Sequence, residues 1–156
     1  MLDTFDLKIL NLVQHNNRLT SEEIGAQVGL SASACQRRLT RMRDNGTIRS
    51  DIAVIDPGKV GKKLTLIIDV TLEREGAQEV SQFKAAMRKN PTVMQCYSVT
   101  GQSDFILIIS VCDMQEFEEF QEEFCRDNPM VKRFSTNVVV DSVKVGLALY
   151  LDEDSP

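Results

Sequence analysis

The chain has 156 residues, of which 42% are hydrophobic and 26% charged, a balance that excludes a disordered chain and allows one ordinary domain or two small ones. Its longest apolar stretch, around Leu64 to Leu72, is interrupted by Thr65, Asp69 and Thr71 and falls short of the roughly 20 apolar residues of a membrane span. The net charge of −5 argues at first against nucleic acid, but residues 1 to 60 hold eight Lys/Arg against seven Asp/Glu while residues 61 to 156 hold ten against sixteen, an asymmetry that points to two parts with different partners.

The first ten residues, MLDTFDLKIL, lack a basic region followed by an apolar run, so no secretory signal is expected. Phe5, Ile9, Leu10, Leu12 and Val13, with Leu7 between, predict a helix over Asp3 to Gln14 with one broad buried face. Asp3 or Thr4 caps it, and His15-Asn16-Asn17 ends it. His15 there is read as a partner of the helix dipole.

Thr20 and Glu23 have capping-box spacing for a second, short helix with Ile24 and Val28 inward. Gly25 lies where a close helix crossing excludes a larger side chain, and Gly29 supplies a turn with positive φ. Leu30 is an apolar anchor, and Ser31 caps a third helix from Ala32 to Asn45, with Gly46 just beyond its end. Cys35, Leu39 and Met42 share one face of it. Ser33, Gln36, Arg37, Thr40 and Arg41 project elsewhere, mostly on the opposite side. They are hydrogen-bonding groups suited to base edges, and Arg38 and Arg43 flank them for phosphates. Between Ser31 and Ser50 five arginines, including Arg49, face only Asp44. Residues 20 to 46 are thus predicted to form a helix-turn-helix that places its second helix in a DNA major groove, with Ser31, Ser33, Gln36, Arg37, Arg38, Thr40, Arg41 and Arg43 as the contact set.

Ile48 to Ile55 alternates loosely and predicts a short strand, a small wing, before the Asp56-Pro57-Gly58 turn. Gly58, Gly61, Lys59, Lys62 and Lys63 mark a boundary. The expected division is a helix-turn-helix domain over 1–50, a linker with a short strand over 51–63, and a second domain over 64–156.

In that second part Leu64 to Leu72 reads as a strand with Leu64, Leu66, Ile68, Val70 and Leu72 on one face. Glu75 to Lys89 reads as a helix burying Val80, Phe83 and Met87, stopped by Asn90-Pro91. Val93 to Thr100 and Asp104 to Cys112 form a hairpin across Gly101-Gln102-Ser103. Met114 to Arg126 is a helix with Phe117, Phe120 and Phe124 on its apolar stripe. Lys132 to Val143 is a fourth strand and Lys144 to Leu151 a fifth. The order predicts an α+β class with a ferredoxin-like βαββαβ domain. Two helices on one face leave Ile67, Ile106 and Ile108 uncovered on the other, so a homodimer is predicted. A two-fold pair also fits a helix-turn-helix reading two half-sites.

Cys35, Cys96, Cys112 and Cys125 form no CxxC pair and sit in apolar-periodic contexts, so they are read as small buried hydrophobes in a reducing compartment. With His15 the sole histidine, no metal site is expected. There is no Gly-rich phosphate loop, no HExxH and no GxSxG. The pairs Glu118/Glu119 and Glu122/Glu123 are solvated helix faces. No catalytic residue and no cofactor is expected.

Three segments, LDxxDxKIL (Leu2 to Leu10), IGAQVGLSASACQRRLTRMRDNGTI (Ile24 to Ile48) and VTGQSDFIL (Val99 to Leu107), make residues 2 to 151 resemble the Lrp/AsnC (feast/famine) family of bacterial and archaeal transcription regulators. The resemblance implies a winged-helix-like helix-turn-helix joined to a ferredoxin-like domain, double-stranded DNA as partner, and a cytoplasmic, nucleoid-associated protein with no membrane contact. It also implies dimers that commonly assemble into octamers. It further implies an amino-acid effector held between subunits near the loop of Thr100, Gly101, Gln102, Ser103 and Asp104. There Gly101 lets main-chain N–H groups meet a ligand carboxylate, Asp104 pairs with the α-amino group, and Ser103 or Gln102 bonds either end. Thr136 and Val138 are expected to line the same cavity. The family pattern here is often Gly-Asp-aromatic-Asp, whereas this chain has Gly-Gln-Ser-Asp, which bears on the identity of the ligand. The alternative is an ACT-like ligand-binding regulator that acts through protein partners without DNA.

Overall fold

The computed structural model describes residues 1–73, 76–126 and 128–152. The expected helix start at Glu75, the Cys125 thiol and residues 153–156 lie outside the described residues. Two compact units result: Met1–Ala53 together with the chain from Lys144, and Val54–Val143.

The first unit contains α1 (Thr4–Val13), α2 (Ser21–Val28) and α3 (Ala32–Asp44). Each starts on the side chain that the sequence pattern offered. Asp3 caps α1 in a box with Asp6, Thr20 caps α2 in a box with Glu23, and Ser31 caps α3 by accepting from the Ala34 amide. Such side-chain oxygens satisfy amides that the helix cannot, worth about 1 kcal/mol per cap. Gly29 ends α2 at φ 77°, a left-handed conformation costly for residues with a Cβ. A Cβ on Gly25 would collide with the Leu30 carbonyl oxygen, which is why the helix-turn-helix needs glycine there. Ile9, Ile24, Val28, Cys35, Leu39 and Met42 form the core, with Leu10, Leu30 and Ile48 packed at its margin.

Two expected strands are absent. Ile48 to Ile55 and Lys144 to Leu151 carry no strand pairing, and there is no wing strand among the described residues. Neither segment has a ladder partner among the described residues. Ile52, Val54, Ile55, Val143, Val145, Leu147 and Leu149 are all exposed. The tail is instead held on α1 and the turn after it. The Gln14 side-chain amide donates to the Leu149 carbonyl and accepts from the Leu149 N–H, each at 2.8 Å, and Asn11 donates to the Leu151 carbonyl at 3.2 Å.

The second unit runs β1 (Leu64–Leu72), α4 (Ala77–Lys89), β2 (Val93–Ser98), β3 (Phe105–Val111), α5 (Met114–Gln121, continued by a π-helical turn Glu122–Arg126) and β4 (Val131–Val138). All pairings are antiparallel and the sheet order is β2-β3-β1-β4, the ferredoxin-like arrangement. Leu66, Ile68, Val70 and Leu72 of β1 and Phe105, Leu107, Ile109 and Val111 of β3 are buried with Phe83 and Met87 of α4 and Phe117 and Phe120 of α5. The residues of opposite parity, Ile67, Ile106 and Ile108, stay half-buried on the other face. β4 ends at Val138, five residues before the expected Val143, although the Val139 N–H still reaches Thr65 O at 2.9 Å.

The thiols separate. Cys35 is buried, Cys96 half-buried and Cys112 exposed, because β3 stops at Val111 and Cys112 falls in the turn beyond it. Burial pushes the Cys35 and Cys96 thiols up, away from reactive thiolates.

At the start of α5, the Lys62 ammonium (2.6 Å) and, next in effect, the Cys112 N–H (2.6 Å) hold the Glu116 carboxyl at about 2, down from its ordinary 4.5. A carboxyl with a lower pKa in the folded chain stabilises above its unfolded pKa and loses that contribution as pH falls. Glu116→Gln is therefore expected to cost about 1 kcal/mol at neutral pH, the size of a favourable partly exposed pair. The difference from wild type should vanish as pH drops from 4.5 toward 2, followed by urea denaturation at each pH. A constant difference across that window would place the loss elsewhere.

Candidate nucleic-acid interface and effector loop

The buried face of α3 (Cys35, Leu39, Met42) turns Ser33, Gln36, Arg37 and Thr40 to solvent. Ser31, at the cap, is also exposed, and its Oγ lies 3.2 Å from that of Ser33. These five of the expected contact residues share one accessible surface.

The arginines do not behave as one set. Arg38 Nη1 donates to Asp3 at 2.7 and 2.8 Å and to Asp6 Oδ1 at 2.8 Å, and its guanidinium lies over the Phe5 ring at 5.7 Å. The hydrogen bond to Arg38 holds the Asp3 carboxyl below its usual range, and the same bond raises Arg38. Arg41 Nη2 donates to the other Asp6 oxygen. Arg43 grips Asp51 through two nitrogens, at 2.9 and 3.3 Å. Only Arg37, of the arginines in α3, has no ion pair among the described residues.

The physical cause is Asp6, 1% exposed on the inner stripe of α1. A carboxylate taken out of water costs several kcal/mol unless cations and hydrogen bonds replace the lost solvent. Arg38, with its side chain 21% exposed, fills that role. It was expected beside phosphates; the structure turns it inward to tie α1 to α3. Arg41, 49% exposed, stays at the rim. Asp6 carried a signal that reading missed, since it stands three and seven residues before the apolar Ile9 and Val13.

In the second unit, the Val99 N–H donates to Asp104 O (3.0 Å) and the Asp104 N–H to Val70 O (2.9 Å). These bonds close the loop that holds Thr100 to Ser103. Gly101 has φ 130°, a conformation in which an L side chain is strained. Asp104 Oδ2 accepts from the Leu72 N–H at 2.7 Å and pins the loop to the end of β1. Asp104 was expected to face a ligand amine, and one of its oxygens is thus committed to the fold. Its Oδ1 and the amides of Gly101, Gln102 and Ser103 have no hydrogen-bond partner among the described residues.

Thr136 and Val138 are not brought to this loop. Thr136 pairs with Ile68 and Val138 with Leu66, on the far side of β1 from β3 and rows away from Phe105. Thr136 Oγ1 is buried without a partner among the described residues. Those residues contain no cluster suited to a metal ion, and no helix is long and apolar enough to cross a membrane.

Residues 2–43 match the AsnC-type helix-turn-helix domain and residues 65–149 the Lrp/AsnC ligand binding domain. The chain is 48% identical to an HTH-type transcriptional regulator of Sinorhizobium fredii over 97% of its own length and 89% of the relative's. It is 34% identical to the proline dehydrogenase transcriptional activator of Rhizobium radiobacter, over 92% of each chain. Among solved structures, a transcriptional regulator of Neisseria meningitidis in complex with L-Met aligns with TM-score 0.91 and 33% identity, over 97% of this chain and 98% of that one. The chain belongs to the Lrp/AsnC family of DNA-binding transcriptional regulators, which are not enzymes.

Proposed function

We propose that this regulator works as a homodimer that reads two half-sites with paired α3 helices and is modulated by an amino acid bound at the Thr100–Asp104 loop. Ser31, Ser33, Gln36, Arg37 and Thr40 face the bases, Arg41 lies at the rim, and Arg38 and Arg43 position the helix. Acting on chromosomal DNA, the protein works in the prokaryotic cytoplasm, at the nucleoid. The homodimer reading rests on the half-buried Ile67, Ile106 and Ile108 and on the exposed apolar residues at 52–55 and 143–149, surface that a second copy removes from water. Assembly to an octamer follows from family resemblance alone.

The observation that carries the effector reading is a run of three amides, Gly101 to Ser103, without partners among the described residues, next to a carboxylate with one oxygen uncommitted there. Amides answer a ligand carboxylate, and Asp104 answers its ammonium. The Neisseria meningitidis relative was solved with L-Met, a ligand of that chemistry. Titration calorimetry against the twenty amino acids is expected to give heat with at least one. Asp104→Asn keeps an oxygen for the Leu72 N–H but loses the charge. It should weaken that binding roughly tenfold or more, as the loss of a charge-assisted hydrogen bond does. Unchanged affinity in that variant would move the site elsewhere.

A further inference from the structure

Of Ser33, Gln36, Arg37 and Thr40 on the exposed face of α3, only Gln36 is bonded to a side chain of another helix among the described residues. Ser21 Oγ donates to Gln36 Oε1 at 2.8 Å. Ser21 is the first residue of α2, so the Gln36 amide stands beside that helix's N-terminal end. The positive end of a helix dipole favours a carbonyl oxygen over an NH2 group facing it. Dipole and hydroxyl therefore select the same orientation: oxygen toward α2, nitrogen away. A glutamine on a protein surface otherwise samples many rotamers and both amide faces, and fixing it costs side-chain entropy.

We infer that Ser21 is a positioning residue that presets the Gln36 amide for base readout, so that each half-site carries an adenine opposite Gln36. The inference rests on α3 being the recognition helix. Adenine shows N7 as acceptor and its N6 amino group as donor in the major groove, and a glutamine amide matches both at once. Oε1 has two lone pairs. One takes the Ser21 hydroxyl and the other remains for N6, while Nε2 supplies the donor for N7. Arg37, without an ion-pair partner or such a tether among the described residues, adapts to its contact.

The test is selection of binding sites from randomised duplexes by the full-length protein, read by sequencing. Wild type should enrich an adenine at one position of each half-site. Gln36→Ala should flatten preference at that position alone, a loss of roughly five- to hundredfold in discrimination, the range of a bidentate base contact. Gln36→Glu should shift the preference there to cytosine, whose amino group a carboxylate accepts. Ser21→Ala should blunt the adenine preference roughly three- to tenfold, within the rotamer cost of a freed glutamine, and Ser21→Thr, which keeps the hydroxyl, should restore it. Circular dichroism of each variant checks that the helices are intact. If Gln36→Glu leaves every position as in wild type, Gln36 reads no base and the inference is lost. If Ser21→Ala matches wild type, Ser21 does not position it. Failure of wild type to enrich any sequence would instead refute the recognition-helix reading.

Discussion

Replacing Asp6 by alanine lowers the stability of the helical unit by about 3 kcal/mol, the lower end of what breaking a buried ion pair costs. The lower end applies because Asp3 remains bonded to Arg38. Two terms contribute. Arg38, only 21% exposed, loses its deepest partner, and α1 loses the N3 half of its capping box. Native-state hydrogen exchange of the α1 and α3 amides measures the loss where it falls, without requiring both units to unfold together. Asp6→Ala combined with Arg38→Met removes both charges and should recover part of the stability, because no buried charge is then left without its partner. A single variant within about 0.5 kcal/mol of wild type, the range of ordinary surface changes, would show that the carboxylate contributes nothing net.

Arg37→Ala and Arg38→Ala are expected to fail in different ways, although the two residues are adjacent. Arg37 is exposed and carries no ion pair among the described residues, so its loss leaves the fold intact. Its removal should weaken operator binding by about 1–3 kcal/mol, whether through a base edge or a phosphate. Fluorescence anisotropy across a salt series separates the two. A phosphate contact lowers the slope of log K against log salt by about one, while a base contact leaves it nearly unchanged. Arg38→Ala should instead lower stability by leaving the buried Asp6 with the rim Arg41 as its remaining cation, and affinity should fall only as folded protein is lost. If Arg38→Ala stayed as stable as wild type while losing DNA, the inward lock on Asp6 would not describe its role.

Most of the local structure was legible in the sequence because it depends on near neighbours. Thr20 with Glu23, Ser31 before a polar helix, and Gly29 after Val28 each act within one turn. The alternation in Leu64–Leu72 similarly named the buried face of β1 before any partner strand was known. The same alternation misled at Lys144–Leu151. A two-residue period states that a segment can lie in a sheet, not that a partner is present in its own chain.

What the sequence determined by itself was the order of elements, the exposed face of α3 and the family, since periodicity, caps and an ungapped motif are properties of adjacent residues. Tertiary structure alone decided which polar groups on that face are available. Asp6 and Arg38 are 32 positions apart, as Ser21 and Gln36 are 15. Whether a side chain faces DNA or another residue depends on how the helices cross, and no local spacing encodes that. The buried carboxylate needs a cation, and helix packing selects Arg38 and Arg41 for it. The exposed face of α3 is left with one arginine outside any ion pair among the described residues and one tethered glutamine.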